Sequence, residues 1–208
     1  MVPTLAEHAR RLNRGAVPAF IRGAAPAFVR GAVPPLLLMT DPRVDPIRRA
    51  RRLPPGCAVV LRHYDRPERY ALGLDLRRIC RERRLLFLVA NDVRLAAALR
   101  ADGLHLAEAV ARQAARPLAW VKARGALLSV AAHGRPALRR ARRLGADWAT
   151  LSPVFPTDSH PGAPTLGLRR FALWARHAGL PVLALGGIRP RTVRALRGAA
   201  GVAAVSGG

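Results

Sequence analysis

The stretch PVLALGGIRP, Pro181 to Pro190, followed closely by GVAAVSGG, Gly201 to Gly208, decides the fold of this chain. Each is a short aliphatic run that stops at glycine. Such a run reads as a buried strand, and a glycine at its tip lets backbone N–H groups approach a ligand with no side chain in the way. Two such tips separated by one helix-length segment fit the phosphate site that (β/α) barrels build after strands seven and eight. Two ordinary strand-ending turns explain the same residues equally well.

Working backwards from that end, the pattern is regular from Leu36 onward. The runs LLLMT, CAVVL, LLFLVA, GLHLA, LLSVAA, WATLSPVF, VLALGG and GVAAVSG read as eight strands. Helix-like segments fall between most of them, at Pro46–Arg52, Glu68–Arg83, Val93–Arg100, Pro136–Leu144, Leu168–Ala178 and Pro190–Arg197. The runs are apolar throughout rather than alternating, as parallel strands covered on both faces require. Eight such alternations predict an α/β chain folded as a (β/α)8 TIM barrel. A doubly wound open sheet is the alternative, and the lack of a G-x-G-x-x-G string after an early strand argues against its dinucleotide-binding form. The chain ends soon after strand eight, so the eighth helix is expected to be missing.

Residues 1–35 form an Arg/Pro/Ala-rich extension ahead of the barrel, 36–208. RGAVPAFI, RGAAPAFV and RGAVPPLL repeat from Arg14, Arg22 and Arg30 with proline in each copy, which prevents a long helix or a central strand. Before them, Thr4 and Glu7 have capping-box spacing and predict a short helix. The extension is expected to cover the strand faces that the missing helix leaves bare.

The chain has 208 residues, enough for one domain with a substantial core, and a formal net charge of +24. That charge invites a nucleic-acid reading. The basic residues, however, are arginines scattered over every helix, with Lys122 the only lysine, and aromatic residues make up 5%. No stacking platform and no zinc-finger spacing is present, so no specific nucleic-acid partner is expected. No apolar run approaches the roughly 20 residues of a membrane helix. No secretory pattern is visible, and a cytoplasmic protein is expected. Cys57 and Cys80 read as buried thiols.

In a barrel, function gathers where strands end. Those positions hold Asp41, Arg62, Asn91, Asp92, His105, His133, Thr157 to His160, Gly186, Gly187, Val205 and Ser206, a polar and anion-friendly set. A guanidinium suits phosphate oxygens, and Asn91 with Asp92 suits a hard cation. Taken singly, each is also a plausible cap or turn residue, Asp92 most clearly.

In order, LMTDPR, LRHYDRP, VANDVRLAAALRADGLHLAE, AAHGRPALRRARRLGADWATLSPVFPT, PVLALGGI and VAAVSG resemble thiamine phosphate synthase and its relative, the thiazole tautomerase TenI. The resemblance implies an enzyme of thiamine biosynthesis, a transferase. It joins hydroxymethylpyrimidine diphosphate to thiazole phosphate, and diphosphate leaves. Its partners would be these phosphorylated small molecules, with a homo-oligomer left open.

Carried over, the resemblance makes Arg62 the strand-two arginine of the diphosphate site. It makes Asn91 a substrate contact and Asp92 a ligand of Mg²⁺. Thr157 and Ser159 become loop hydroxyls, and Gly186, Gly187, Val205 and Ser206 the product-phosphate site. The departures are concentrated on the diphosphate side. The second aspartate ligand of the metal is Val110, with Glu108 the candidate substitute. The loop lysine is His160, the strand-two glutamine and lysine are Val60 and Tyr64, and the strand-five serine is Ala131. These changes predict weakened synthase activity. His133 stands where a tautomerase acid–base histidine would be, which makes tautomerase the first alternative and a non-catalytic phosphate-ligand binder the second. A polyanion-binding role for the basic tail is the third.

Overall fold

The structure is a computed structural model that describes residues 4–12, 33–64, 66–157, 162 and 164–205. Eight parallel strands close a barrel in sequence order: β1 (Leu36–Met39), β2 (Ala58–Leu61), β3 (Leu86–Ala90), β4 (Gly103–Leu106), β5 (Leu127–Ala132), β6 (Trp148–Leu151), β7 (Val182–Ala184) and β8 (Gly201–Ala204). All eight expected strands are present, most of them trimmed at the C-terminal tip, where the chain leaves the sheet to build the rim. Closure rests on β1 pairing with β8 in the register Leu36 to Val202 and Leu38 to Ala204, which excludes the open sheet.

The helices are α1 (Leu5–Leu12), α2 (Pro46–Arg52), α3 (Arg69–Arg83), α4 (Val93–Ala98), α5 (Ala115–Arg124), α6 (Arg135–Arg143), α7 (Gly167–Arg176) and α8 (Pro190–Val193). The helix α5 is absent from the expected helices. Its Pro117 lies in the first turn, where the missing N–H costs nothing.

The continuous apolarity of the strands resolves into two cores. Leu37, Met39, Ala58, Val60, Leu86, Leu88, Leu127, Trp148, Leu183 and Ala203 fill the barrel. Their alternates, among them Leu38, Val59, Leu61, Phe87, Val89, Leu128 and Val202, face the helices in a second cluster. The same two-residue period places His105, Ser129 and Thr150, all buried, inside the barrel. One step further along the strands it leads to Arg62, His133, Gly187 and Val205 at the rim.

At the opposite end, two aspartates pin strand starts. Asp102 donates its N–H to Phe87 O and accepts from Phe87 N, each at 2.8 Å. Asp147 repeats the device on Leu128, donating at 2.8 Å and accepting at 2.7 Å. Arg77 adds two bonds to Asp102, at 2.9 and 2.8 Å.

No helix follows β8 among the described residues, and α1 occupies that side of the barrel. It packs against β8, β1 and α8. Leu5, Ala6, His8 and Ala9 are buried on its inner face. The capping box forms as expected, with Thr4 N donating to Glu7 Oε2 at 2.7 Å and Glu7 N to Thr4 Oγ1 at 3.3 Å. Arg10 reaches Pro55 O at the base of β2, at 3.1 Å. The first part of the extension is thus packed on the barrel; most of the proline repeats lie outside the described residues.

This packing makes α1 part of the stability of the barrel. Leu5 is 2% exposed, so Leu5→Ala is expected to cost about 2 kcal/mol and lower the melting temperature by roughly 4–8 °C. An unchanged melt would show that α1 contributes no packing energy.

Candidate active site

The rim begins at the end of β1. Thr40 Oγ1 accepts from Arg62 N at 2.9 Å and meets His63 Nδ1 at 2.9 Å, which ties the tip of β1 to the turn after β2. His63 is buried, and burial pulls its pKa below the usual value. Asp41 is held by Arg43 through Nε and Nη2 at 2.8 and 2.9 Å, and that guanidinium keeps its carboxyl at about 2. Arg62 itself is half-buried and forms no ion pair among the described residues. Its charge is felt at Asp41 and at His105 beneath it.

Next come Asn91 and Asp92 at the tip of β3. Asn91 takes a left-handed backbone, φ 60°, a conformation asparagine tolerates. Its Oδ1 accepts from Ala107 N at 2.8 Å and its Nδ2 donates to Tyr64 OH at 3.3 Å. Asn91 therefore bridges the tips of β2, β3 and β4 with both ends of its amide engaged. Asp92 caps α4 by accepting from Leu95 N at 2.9 Å through Oδ1. Its Oδ2 lies 3.4 Å from Arg69 Nη1. Arg69 is in turn fixed by a 2.8 Å bond from Nη2 to Ala90 O, and it sits 5.5 Å over the Tyr64 ring. Neither Arg69 nor His63 was legible as a site residue; no spacing marks an arginine at the first position of a helix as the partner of a strand-tip aspartate.

Across the rim, Glu108 after β4 and His133 after β5 form a pair. Glu108 Oε2 accepts from His133 Nδ1 at 2.9 Å and from His133 N at 3.0 Å. The carboxylate on Nδ1 fixes that nitrogen as the donor and leaves Nε2 with its lone pair directed away from Glu108. The imidazole is 59% exposed, so Nε2 is open to a ligand. Among the described residues, this is the one combination of sequence-selected residues that forms an acid–base unit. It joins residues expected in separate roles, a metal ligand and a base.

The carboxylates that the resemblance assigns to Mg²⁺ do not form a cation seat. Asp92 is taken up by a helix cap and by Arg69, Glu108 by His133, and Asp41 by Arg43. Val110 begins a 3₁₀ turn, Val110–Gln113, and offers no oxygen ligand. Among the described residues no group of three or more His, Cys, Asp or Glu is placed to share an ion. These residues do not fit the metal.

The opposite side of the rim is built by β7 and the segment after β6. Val154 N donates to Leu185 O at 2.9 Å and Phe155 N to Gly186 O at 3.1 Å, so the β6 segment lies directly on the β7 tip. Gly186 and Gly187 have φ 95° and 64°. A Cβ on Gly186 would come within 2.9 Å of Pro153, and one on Gly187 within 2.7 Å of Phe155 Cβ and closer still to Pro156 O. Glycine is required here first by that contact. The N–H groups of Gly186 and Gly187 have no acceptor among the described residues, so they remain available to an anion. Thr157 is half-buried at the end of this segment, and Val205 is half-buried at the β8 tip. Ser159, His160 and Ser206 lie outside the described residues.

A family model described as thiamine monophosphate synthase matches residues 47–207. The chain belongs to the thiamine monophosphate synthase family. It is 33% identical over 153 residues to a putative thiamine-phosphate synthase 2 of Aquifex aeolicus, covering 71% of this chain and 80% of that one. It is 33% identical over 159 residues to the thiamine biosynthesis bifunctional protein ThiED of Geobacter sulfurreducens, a match spanning 74% of this chain and 32% of that longer protein. Among solved structures, a thiamine phosphate pyrophosphorylase from Pyrococcus furiosus superposes with a TM-score of 0.66 at 28% identity, covering 81% and 83% of the two chains. Within this family the rim described above is the place to look for chemistry.

The floor of the site sets an acid limit on stability. His105 is 3% exposed and bonded to Ser129 Oγ at 2.9 Å, and burial drives its pKa from 6.5 to about 3. The unfolded ring binds a proton that the folded ring refuses. Stability therefore falls as pH drops from about 6.5 towards 3, with a slope approaching about 1.4 kcal/mol per pH unit, and is unaffected by this group above 7. His63 acts in the same sense. Denaturant midpoints at pH 7 and pH 5 are expected to differ less in His105→Asn than in the unmodified chain; an equal loss in both would exclude His105 as the source.

Proposed function

We propose that this chain is a thiamine phosphate synthase of thiamine biosynthesis, joining hydroxymethylpyrimidine diphosphate to thiazole phosphate. The observation that carries this reading is the family match over residues 47–207. The glycine tip of β7 and Arg62, which forms no ion pair among the described residues, support it from the side of the site.

The reaction needs no protein nucleophile. The bond from the pyrimidine methylene carbon to the diphosphate oxygen breaks and the electron pair leaves with diphosphate. The thiazole nitrogen then forms the new C–N bond. The positive charge left on the pyrimidine is shared by its ring. The protein's task is electrostatic: fixed donors meet charge where it accumulates. Arg62 meets the departing diphosphate with a planar fork of N–H groups. The N–H groups of Gly186 and Gly187, which have no acceptor among the described residues, hold the phosphate of the thiazole together with the β8 tip at Val205. Thr157 follows β6 on the same rim and is read as a loop contact to the diphosphate; the same role for Ser159 and His160, and a phosphate contact for Ser206, rest on the family resemblance alone.

The Glu108–His133 pair favours a second reading, tautomerisation of a thiazole phosphate. A base at Nε2 can take a proton from one ring position and return it at another, while Glu108 stabilises the imidazolium formed between the two transfers. Nothing in the synthase reaction requires this proton transfer.

Incubating the full chain with both phosphorylated precursors, and assaying thiamine monophosphate, tests the synthase. Product is expected, and Arg62→Met should lower its rate by about a hundredfold. Absence of product, with tautomer exchange that His133→Asn abolishes, would transfer the assignment to the tautomerase. Glu108→Gln should then slow exchange without weakening phosphate binding.

A further inference from the structure

We infer that the anion end of this site works without a divalent cation, with Arg69 as a built-in counter-charge for Asp92. The inference rests on the reading of the rim as a phosphate site, and it follows from the mismatch between the rim carboxylates and a metal.

Magnesium binds through oxygen ligands in a near-octahedral shell and loses its waters reluctantly. Asp92 cannot supply such a ligand cheaply. One oxygen accepts from Leu95 N at 2.9 Å, and the other faces Arg69 Nη1 at 3.4 Å. Arg69 is not a surface side chain that swings aside. It is 15% exposed, bonded through Nη2 to Ala90 O and stacked over Tyr64. A guanidinium stays charged at any accessible pH, so its cation is permanent, and a divalent ion placed beside it would be repelled. Glu108, the other expected ligand, gives Oε2 to two donors of His133, and Arg112 Nη2 lies 3.9 Å from its Oε1.

With Asp92 neutralised from within, the charge an incoming anion meets on this side of the rim, among the described residues, is that of Arg62. A metal normally bridges anion and carboxylate because both are negative. Here the carboxylate is already balanced, and no bridge is needed. Arg69 is a positioning residue in this arrangement: it acts on the anion through Asp92.

Inorganic pyrophosphate is the probe, titrated calorimetrically into the full chain in excess EDTA and in excess Mg²⁺. Dissociation constants within about threefold of each other are expected. Arg62→Met should abolish the signal in both, which assigns it to the rim rather than to the arginine-rich surface. Arg69→Met leaves Asp92 uncompensated; binding in EDTA should weaken about tenfold or more and recover with Mg²⁺. Asp92→Asn, which keeps a good helix cap, should bind in EDTA at least as tightly as the unmodified chain. Binding that requires Mg²⁺ in the unmodified chain overturns the inference alone, as does loss of binding in Asp92→Asn. No binding under either condition overturns the phosphate reading of the rim as well.

Discussion

The pairing of β8 with β1 is the constraint on which the rest of the molecule depends. It places Val202 N on Pro35 O at 2.9 Å and brings the β8 tip to within one strand of Thr40 and Asp41. Without it the β7 and β8 tips would end an open sheet, and no rim would exist to hold Arg62 and the two glycines around a common space. The approach is close enough that Gly201 can carry no side chain: a Cβ there would lie 2.7 Å from Pro34 O. A segment ahead of β1 covers this seam, and the buried face of α1 does for β8 what the intervening helices do for the other strands.

A second constraint is the shortage of carboxylates. With 36 basic and 12 acidic side chains, the acids are scarce enough that their placement is informative. Glu7 and Asp45 cap helices. Asp102 and Asp147 pin strand starts by replacing a neighbouring strand's missing partner. Asp41, Asp92 and Glu108 stand at the rim, and each is already matched by a donor of this chain. A carboxylate surrounded by arginines is pulled into the nearest ion pair or cap, and that pull is strongest where burial removes competing water. The site inherits the consequence: among its described residues the negative groups are internally balanced, and Arg62 is left without an ion pair.

Much of the fold was legible because barrel strands carry an unambiguous signal, apolar runs with polar tips at regular spacing. The strand list and the capping box at Thr4 follow from residue type and period. The site was legible only as a list. Arg62, Asp92, Glu108, His133 and the β7 glycines can be placed at the rim by counting along strands, but counting does not say which of them touch. That Glu108 turns to His133, and that Asn91 spends both amide ends on Tyr64 and Ala107, depends on side-chain reach across strands separated by many residues. Arg69 and His63 carry no local signature at all. The helix α5, Ala115–Arg124, was not among the expected helices.

The two readings of the chemistry place different demands on the same rim. Transfer with loss of diphosphate needs positive charge near Arg62 and little else from the protein, because the pyrimidine shares the charge that develops. Proton transfer needs a base with a fixed tautomer and an open nitrogen, which is what Glu108 confers on His133. The proposed phosphate role of Gly186 and Gly187 would serve either reaction, since both begin with a phosphorylated thiazole. On this proposal binding is separated from chemistry. The backbone shape of these glycines is enforced by the β6 segment through Pro153 and Phe155. The distinguishing groups sit on β2 and on β4 and β5, where side chains can change while the barrel keeps its register.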